Sequence, residues 1–119
     1  VDDVERARAL PGGGSVTLTQ SPIEAVGGAA AVYTDVWTSM GQEAEADARR
    51  EHFAGFQVNA SLLANAPGAL IMHDLPAHRG EEITDQAMES ELSVVFDQAE
   101  NRIFAQQAVL SVLLADGLA

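Results

Sequence analysis

Residues 30–42, A-A-V-Y-T-D-V-W-T-S-M-G-Q, join an apolar run to a polar turn and the start of a helix. Ala30 to Val36 is a continuous apolar run closed by Tyr33, Thr34 and Asp35, the pattern of a strand buried in a parallel sheet. Upstream, Gly27-Gly28 ends a short helix whose start is written as Ser21-Pro22-Ile23-Glu24. Ser21 can cap, Pro22 suits the first helical position, and Glu24 completes a capping box. Before it, Ser15 to Gln20 (S-V-T-L-T-Q) alternates as a strand does, and Pro11-Gly12-Gly13-Gly14 breaks a first helix over Val1 to Leu10. Downstream, a polar helix is predicted from about Gln42 to Phe53 and a shorter one from about Ala60 to Ala66. Ala69 to Met72 is the next strand, Thr84 to Glu89 a short helix, and Ser93 to Phe96 a fourth strand. The last helix spans about Gln98 to Ala115, with Asp97 and Glu100 as a second capping box.

Strands alternating with helices imply a parallel sheet with right-handed crossovers and helices on both faces. In such sheets ligands sit beyond the carboxyl ends of the strands. The polar segments that follow the strands, Asp35 to Gln42, His73 to Gly80 and Asp97 to Arg102, therefore fall where a site is expected.

Composition narrows the function. The length is that of one small domain. Eighteen acidic residues oppose six basic ones, all arginine, for a net charge of −12. A chain this acidic repels phosphate backbones and anionic membrane surfaces, so neither nucleic acid nor a membrane is an expected partner. With 47% hydrophobic residues it can still build a core, and without cysteine it has neither disulfides nor thiolate chemistry. No run of 18 apolar residues and no signal peptide are present, so a soluble cytoplasmic protein is expected. The acidic, alanine-rich, lysine-free composition resembles that of proteins from salt-accumulating organisms; a GC-rich genome with ordinary solubility selection gives the same bias.

Each motif has a functional and a plain account. Gly12-Gly13-Gly14 precedes a strand and lacks the G-K-[ST] ending of a phosphate loop, so a helix-ending turn explains it better. Asp35, followed four residues later by Ser39 at a helix start, could hold both poles of a zwitterion; alternatively Ser39 only caps a helix and Asp35 is solvated. His73, Asp74 and His78 offer nitrogen and oxygen donors on one loop, but no fourth ligand stands at a metal spacing, and no metal is expected. Arg102 near the start of the last helix is either an anion clamp or a surface partner of Glu100. The stripe Ile103, Phe104, Val109, Leu110, Val112, Leu113 is expected to pack in the core.

Four stretches taken together resemble the carboxy-terminal part of the ornithine carbamoyltransferase family. They are V-Y-T-D-V-W-T-S-M-G-Q-E at 32–43, Q-V-N at 57–59, M-H-D-L-P-A-H-R-G-E-E-I-T-D at 72–85, and S-V-V-F-D-Q-A-E-N-R at 93–102. The resemblance implies a Rossmann-like α/β domain, a three-layer parallel sheet with helices on both faces, here truncated to about four strands. It implies that residues 1–119 are a single, incomplete ornithine-binding domain. It further implies ornithine and carbamoyl phosphate as substrates, citrulline and phosphate as products, and no cofactor. On that basis Asp35 would hold the α-ammonium of ornithine, with Ser39 and Met40 at its amino-acid end. Leu75 would bind the carbamoyl group through its backbone, and Arg102 would reach the phosphate or carbonyl side. His78 and Arg79 would belong to a loop closing over the substrates.

The chain departs from the family at Asp74, where the family has cysteine in H-C-L-P, and at Phe104 and Gln107, where it usually has histidine and lysine. A carboxylate at 74 favours the protonated δ-amine, whereas the nucleophile must be neutral. The family's first domain, with its S-T-R-T phosphate motif, and the opening strands of the second have no counterpart here. In the family's strand order, Ser15–Gln20 would be parted from Ala30–Val36 by a gap two strands wide, which hydrogen bonds cannot bridge. A complementary amino-terminal chain, a homo-oligomer or a rearranged sheet is therefore expected.

Overall fold

β1 (Ala31–Thr34) and β2 (Leu70–His73) pair in parallel, in the register Ala31↔Leu70, Val32↔Ile71, Tyr33↔Met72 and Thr34↔His73. This computed structural model describes residues 2–12, 14–38, 41 and 43–115. Because side chains alternate across a strand, Val32, Thr34, Ile71 and His73 share one face and Ala31, Tyr33, Leu70 and Met72 the other. The first face is the core side. Val32, Ile71 and His73 are buried there, against Val26, Val58, Leu62, Ile83, Ala87, Met88 and Val95.

Helices α1 (Asp2–Arg8) and α2 (Pro22–Val26) precede β1. Helices α3 (Ala46–Phe53) and α4 (Ala60–Leu63) form the connection to β2, with single 3-10 turns at Glu43–Glu45 and Ala54–Phe56. Beyond β2 come α5 (Asp85–Met88) and the long α6 (Val95–Ala115). The helix starts follow local chemistry. Ser21 Oγ accepts from Glu24 N–H, Asn59 Oδ1 from Leu62 N–H and Thr84 Oγ1 from Ala87 N–H, each satisfying a donor the helix leaves free. The return arm of the Ser21 box is relayed: Ser21 N–H donates to Thr19 Oγ1, and the Thr19 hydroxyl donates to Glu24.

Among the described residues the expected four strands are reduced to two. Ser15–Gln20 forms no strand; its Val16 carbonyl accepts instead from the Arg8 guanidinium at 3.0 and 3.1 Å, and Leu18 is exposed. With no neighbouring edge to pair with, β-branched alternation alone does not make a strand. Ser93–Phe96 is reduced to one parallel bridge, Ile71↔Ser93, in which Ile71 N–H donates to Leu92 O and Val94 N–H to Ile71 O. Helix α6 starts at Val95, so Asp97 lies inside its first turn and is not a cap.

The three-layer expectation also changes. Ala31, Tyr33 and Leu70 stay exposed on the outer face of the sheet, which is left largely uncovered among the described residues, with Gln98 of α6 donating to the Tyr33 hydroxyl at 3.0 Å. The stripe on α6 is not core: Ile103, Phe104, Val109, Leu110, Val112 and Leu113 are all more than half exposed. The radius of gyration, 17.1 Å, exceeds the about 13.5 Å of a compact chain of this length.

Candidate functional site

The register that pairs Thr34 with His73 makes Asp35 and Asp74 leave adjacent strands at the same level, strands lying about 4.8 Å apart in a sheet. Asp35 is exposed, and its Oδ1 accepts from Val36 N–H at 2.6 Å. It lines an open cleft of about 320 Å³ with Thr19, Tyr33, Trp37, Phe56 and Val58 among its walls. Ser39 and Met40 lie outside the described residues.

After β2 the chain turns sharply. Leu75 has φ 55°, a left-handed conformation costing a side-chain-bearing residue roughly 1–2 kcal/mol, and the Leu75–Pro76 peptide is cis. What holds Leu75 is His73. Its ring is fully buried, and Nδ1 accepts the Leu75 N–H at 2.9 Å. Nδ1 is thus an acceptor, so the neutral ring carries its proton on Nε2 and donates to Glu82 Oε1 at 3.0 Å. Glu82 is also fully buried, and the same Oε1 accepts His78 N–H at 2.6 Å. Glu82 Oε2 and Asp74 Oδ1 are buried without a hydrogen-bond partner among the described residues.

Arg102 approaches this turn from α6, donating from Nη1 to the Asp74 carbonyl at 3.3 Å. It makes no ion pair among the described residues, Glu100 included, so its charge is available to an anion. Arg79 is turned the other way. Its guanidinium is held by Asp85 on α5 at 2.8 Å and by Glu89 just beyond that helix, and these bonds raise its pKa further above that of a free arginine. His78 is half exposed, with Nδ1 4.0 Å from Glu81 Oε2. The structure therefore gathers Asp74, Leu75 and Arg102, sets Asp35 on the neighbouring strand end, and leaves Arg79 on the far side of its loop.

His78, Glu81 and Glu82 each bring one ligand-type atom within 4.8 Å of the others. One oxygen of each carboxylate is in use, since Arg50 Nε binds Glu81 Oε1 at 3.0 Å and His73 Nε2 holds Glu82 Oε1. The alternative set His73, Asp74, His78 does not form, because both His73 nitrogens are engaged.

His73, Glu82, Gln57 and Asn59 were not assigned a supporting role from sequence. Glu82 and His73 hold Leu75. Gln57, from the Q-V-N segment, donates its side-chain amide to the Gly80 and Glu81 carbonyls at 2.9 and 2.8 Å, and Asn59 donates to Gln57 Oε1. The available signal for the first was parity: His73 falls on the same strand face as Ile71, so a histidine facing a core requires a polar partner.

Comparison with known proteins decides the lineage. The family model for the Asp/Orn-binding domain of aspartate/ornithine carbamoyltransferases matches residues 1–113. The chain belongs to this family. It is 55% identical over 107 residues to the ornithine carbamoyltransferase of Thermococcus kodakarensis, covering 89% of this chain and 34% of the relative. To that of Methanoculleus marisnigri it is 53% identical over 117 residues, 98% of this chain and 37% of the relative. The solved ornithine carbamoyltransferase of Pyrococcus furiosus superposes with a TM-score of 0.77 at 58% identity, over 83% of this chain and 32% of that one. The ornithine transcarbamoylase of Giardia lamblia superposes with 0.83 at 33% identity, over 98% and 36%. This carbamoyltransferase-family chain thus spans about a third of the length of the curated relatives it matches. It corresponds to their Asp/Orn-binding domain. No helix among the described residues is long and apolar enough to cross a membrane.

Proposed function

We propose that this chain is the ornithine-binding part of an ornithine carbamoyltransferase of arginine metabolism. The whole enzyme moves the carbamoyl group of carbamoyl phosphate to the δ-amine of ornithine, giving citrulline and phosphate, in the cytoplasm and without a metal. Residues 1–119 act as one incomplete domain that requires a complementary amino-terminal part, or a homo-oligomer, to turn over. The observation that carries this reading is the juxtaposition at the strand ends: Asp35 after β1, and Asp74, Leu75 and an Arg102 without an ion pair among the described residues after β2.

In this reading Asp35 takes the ornithine α-ammonium, and Ser39 and Met40 contact the amino-acid end. The Leu75 backbone, fixed by His73 and Glu82, meets the carbamoyl group, while Arg102 draws the anionic substrate. His78 and Arg79 ride on the closing loop; Arg79 would have to leave Asp85 and Glu89 to take part. The bare apolar face of α6 supports the need for a further partner, because apolar surface of that extent is normally covered.

Calorimetric titration with ornithine tests the binding role. Saturable binding that weakens at least about tenfold in Asp35→Ala is expected, the loss of one charge-assisted contact. No heat at millimolar ornithine would instead favour a non-catalytic scaffold whose free β1 edge and α6 face serve assembly. For the reaction itself, citrulline formation is measured after adding the amino-terminal two thirds of a relative. Asp74→Cys should raise that rate, since it removes an anion that keeps the δ-amine protonated and opposes phosphate. A lower or equal rate would rule out this account of Asp74.

A further inference from the structure

Helix α3 grips both strand-end loops through two consecutive residues. Arg49 donates from Nη1 to the Trp37 carbonyl at 3.3 Å and from Nε to Glu45 at 3.2 Å, holding the segment after β1. Arg50 donates from Nε to Glu81 Oε1 at 3.0 Å and from Nη1 to Asp47 at 2.6 Å, holding the loop after β2. Aromatic packing stiffens the first contact, with Trp37 stacked on Phe53 at 6.3 Å and Phe53 edge-on to Phe56 at 6.1 Å. Backbone bonds stiffen the second. Val58 N–H donates to Glu82 O and Thr84 N–H to Val58 O, beside the Gln57 clamp on Gly80 and Glu81. The segment from Glu45 to Asn59 therefore holds both loops, the first through Arg49 and Phe53 and the second through Arg50, Gln57 and Val58.

We propose that this segment is a strap that couples the two strand-end loops, with the Arg50–Glu81 pair as its adjustable link and Arg50 as a positioning residue. A surface ion pair of this exposure contributes little to stability by itself. Its effect here is geometric: Arg49 cannot shift with the Trp37 loop without moving Arg50, the next residue on the same helix. Displacement of Trp37 is then passed to the loop that carries Leu75, His78 and Glu82. The coupling is a property of the unliganded chain; only the identity of the ligand that drives it rests on the ornithine reading.

Trp37 is the sole tryptophan, so its fluorescence reports the first loop. Acrylamide quenching is measured on the full chain without ligand, for wild type, Arg50→Gln, Glu81→Gln and the double variant. Glu81 lies on the other loop, yet Glu81→Gln should raise Trp37 quenching by about 1.5- to 2-fold, the scale of a surface-pair effect. Arg50→Gln should match it, the double variant should add nothing further, and Arg50→Lys should restore part. Unchanged quenching in Glu81→Gln, or additive effects in the double variant, overturns the strap. Should Arg50→Gln fail to fold, Glu81→Gln alone decides the question. A second arm follows amide exchange at residues 78–82. Ornithine should slow it in wild type and not in Arg50→Gln. Equal slowing in both overturns the link, whereas absence of ornithine binding in wild type refutes the ornithine reading and leaves the quenching result to decide the strap.

Discussion

The stretch from Val58 to Val95 is no more apolar than the helix that continues from it, yet the two meet opposite surroundings. Val58, Ile71, Ile83 and Val95 are at most 2% exposed, whereas Leu110, Leu113 and Leu114 on α6 are 56–67% exposed. Hydropathy alone does not separate them. The first stretch folds back on itself through the bridges Val58↔Ile83 and Ile71↔Ser93, so its side chains meet one another. Helix α6 needs no such partner to form, because its backbone bonds are internal to the helix. It can extend past the end of the core and leave its apolar face bare.

Mutations can break or sharpen this contrast. The largest effect should come from Ile83→Ala, which empties the centre of the core and should cost about 2–5 kcal/mol in urea unfolding. A cost below about 1 kcal/mol would mean the core does not hold the domain together. Asn59→Ala removes the cap of α4 and the donor that steadies Gln57, for an expected loss of about 1 kcal/mol by the same measurement. Leu110→Ser with Leu113→Ser should change the unfolding free energy of the isolated chain by no more than about 0.5 kcal/mol per site, since these side chains touch little. The same pair should reduce self-association in sedimentation, and a large loss of stability instead would show that α6 packs on its own domain.

Much of the site was legible because its chemistry is local. The strand–turn pattern around Asp35 and around His73-Asp74-Leu75 marks two strand ends, and parallel pairing sets those ends side by side. The Ser21 cap follows from residue type within one helical turn, whereas Asp97, read the same way, falls inside the first turn of α6. The His73–Glu82 bond was less legible, since it joins residues nine apart across a loop whose path no periodicity describes. The Arg50–Glu81 link, 31 residues apart, lies beyond any local pattern.

By itself, the sequence determined the helices, the two central strands, the Ser21 cap, the acidic charge and the family. Each is written in short-range spacing or in motifs that tolerate little else. Tertiary structure alone decided that Ser15–Gln20 and Ser93–Phe96 are not full strands, that His73 and Glu82 are paired in the core, and that α6 is uncovered. A strand exists only when another edge accepts its hydrogen bonds, and a side chain is buried only when another surface reaches it. Both conditions depend on residues far along the chain.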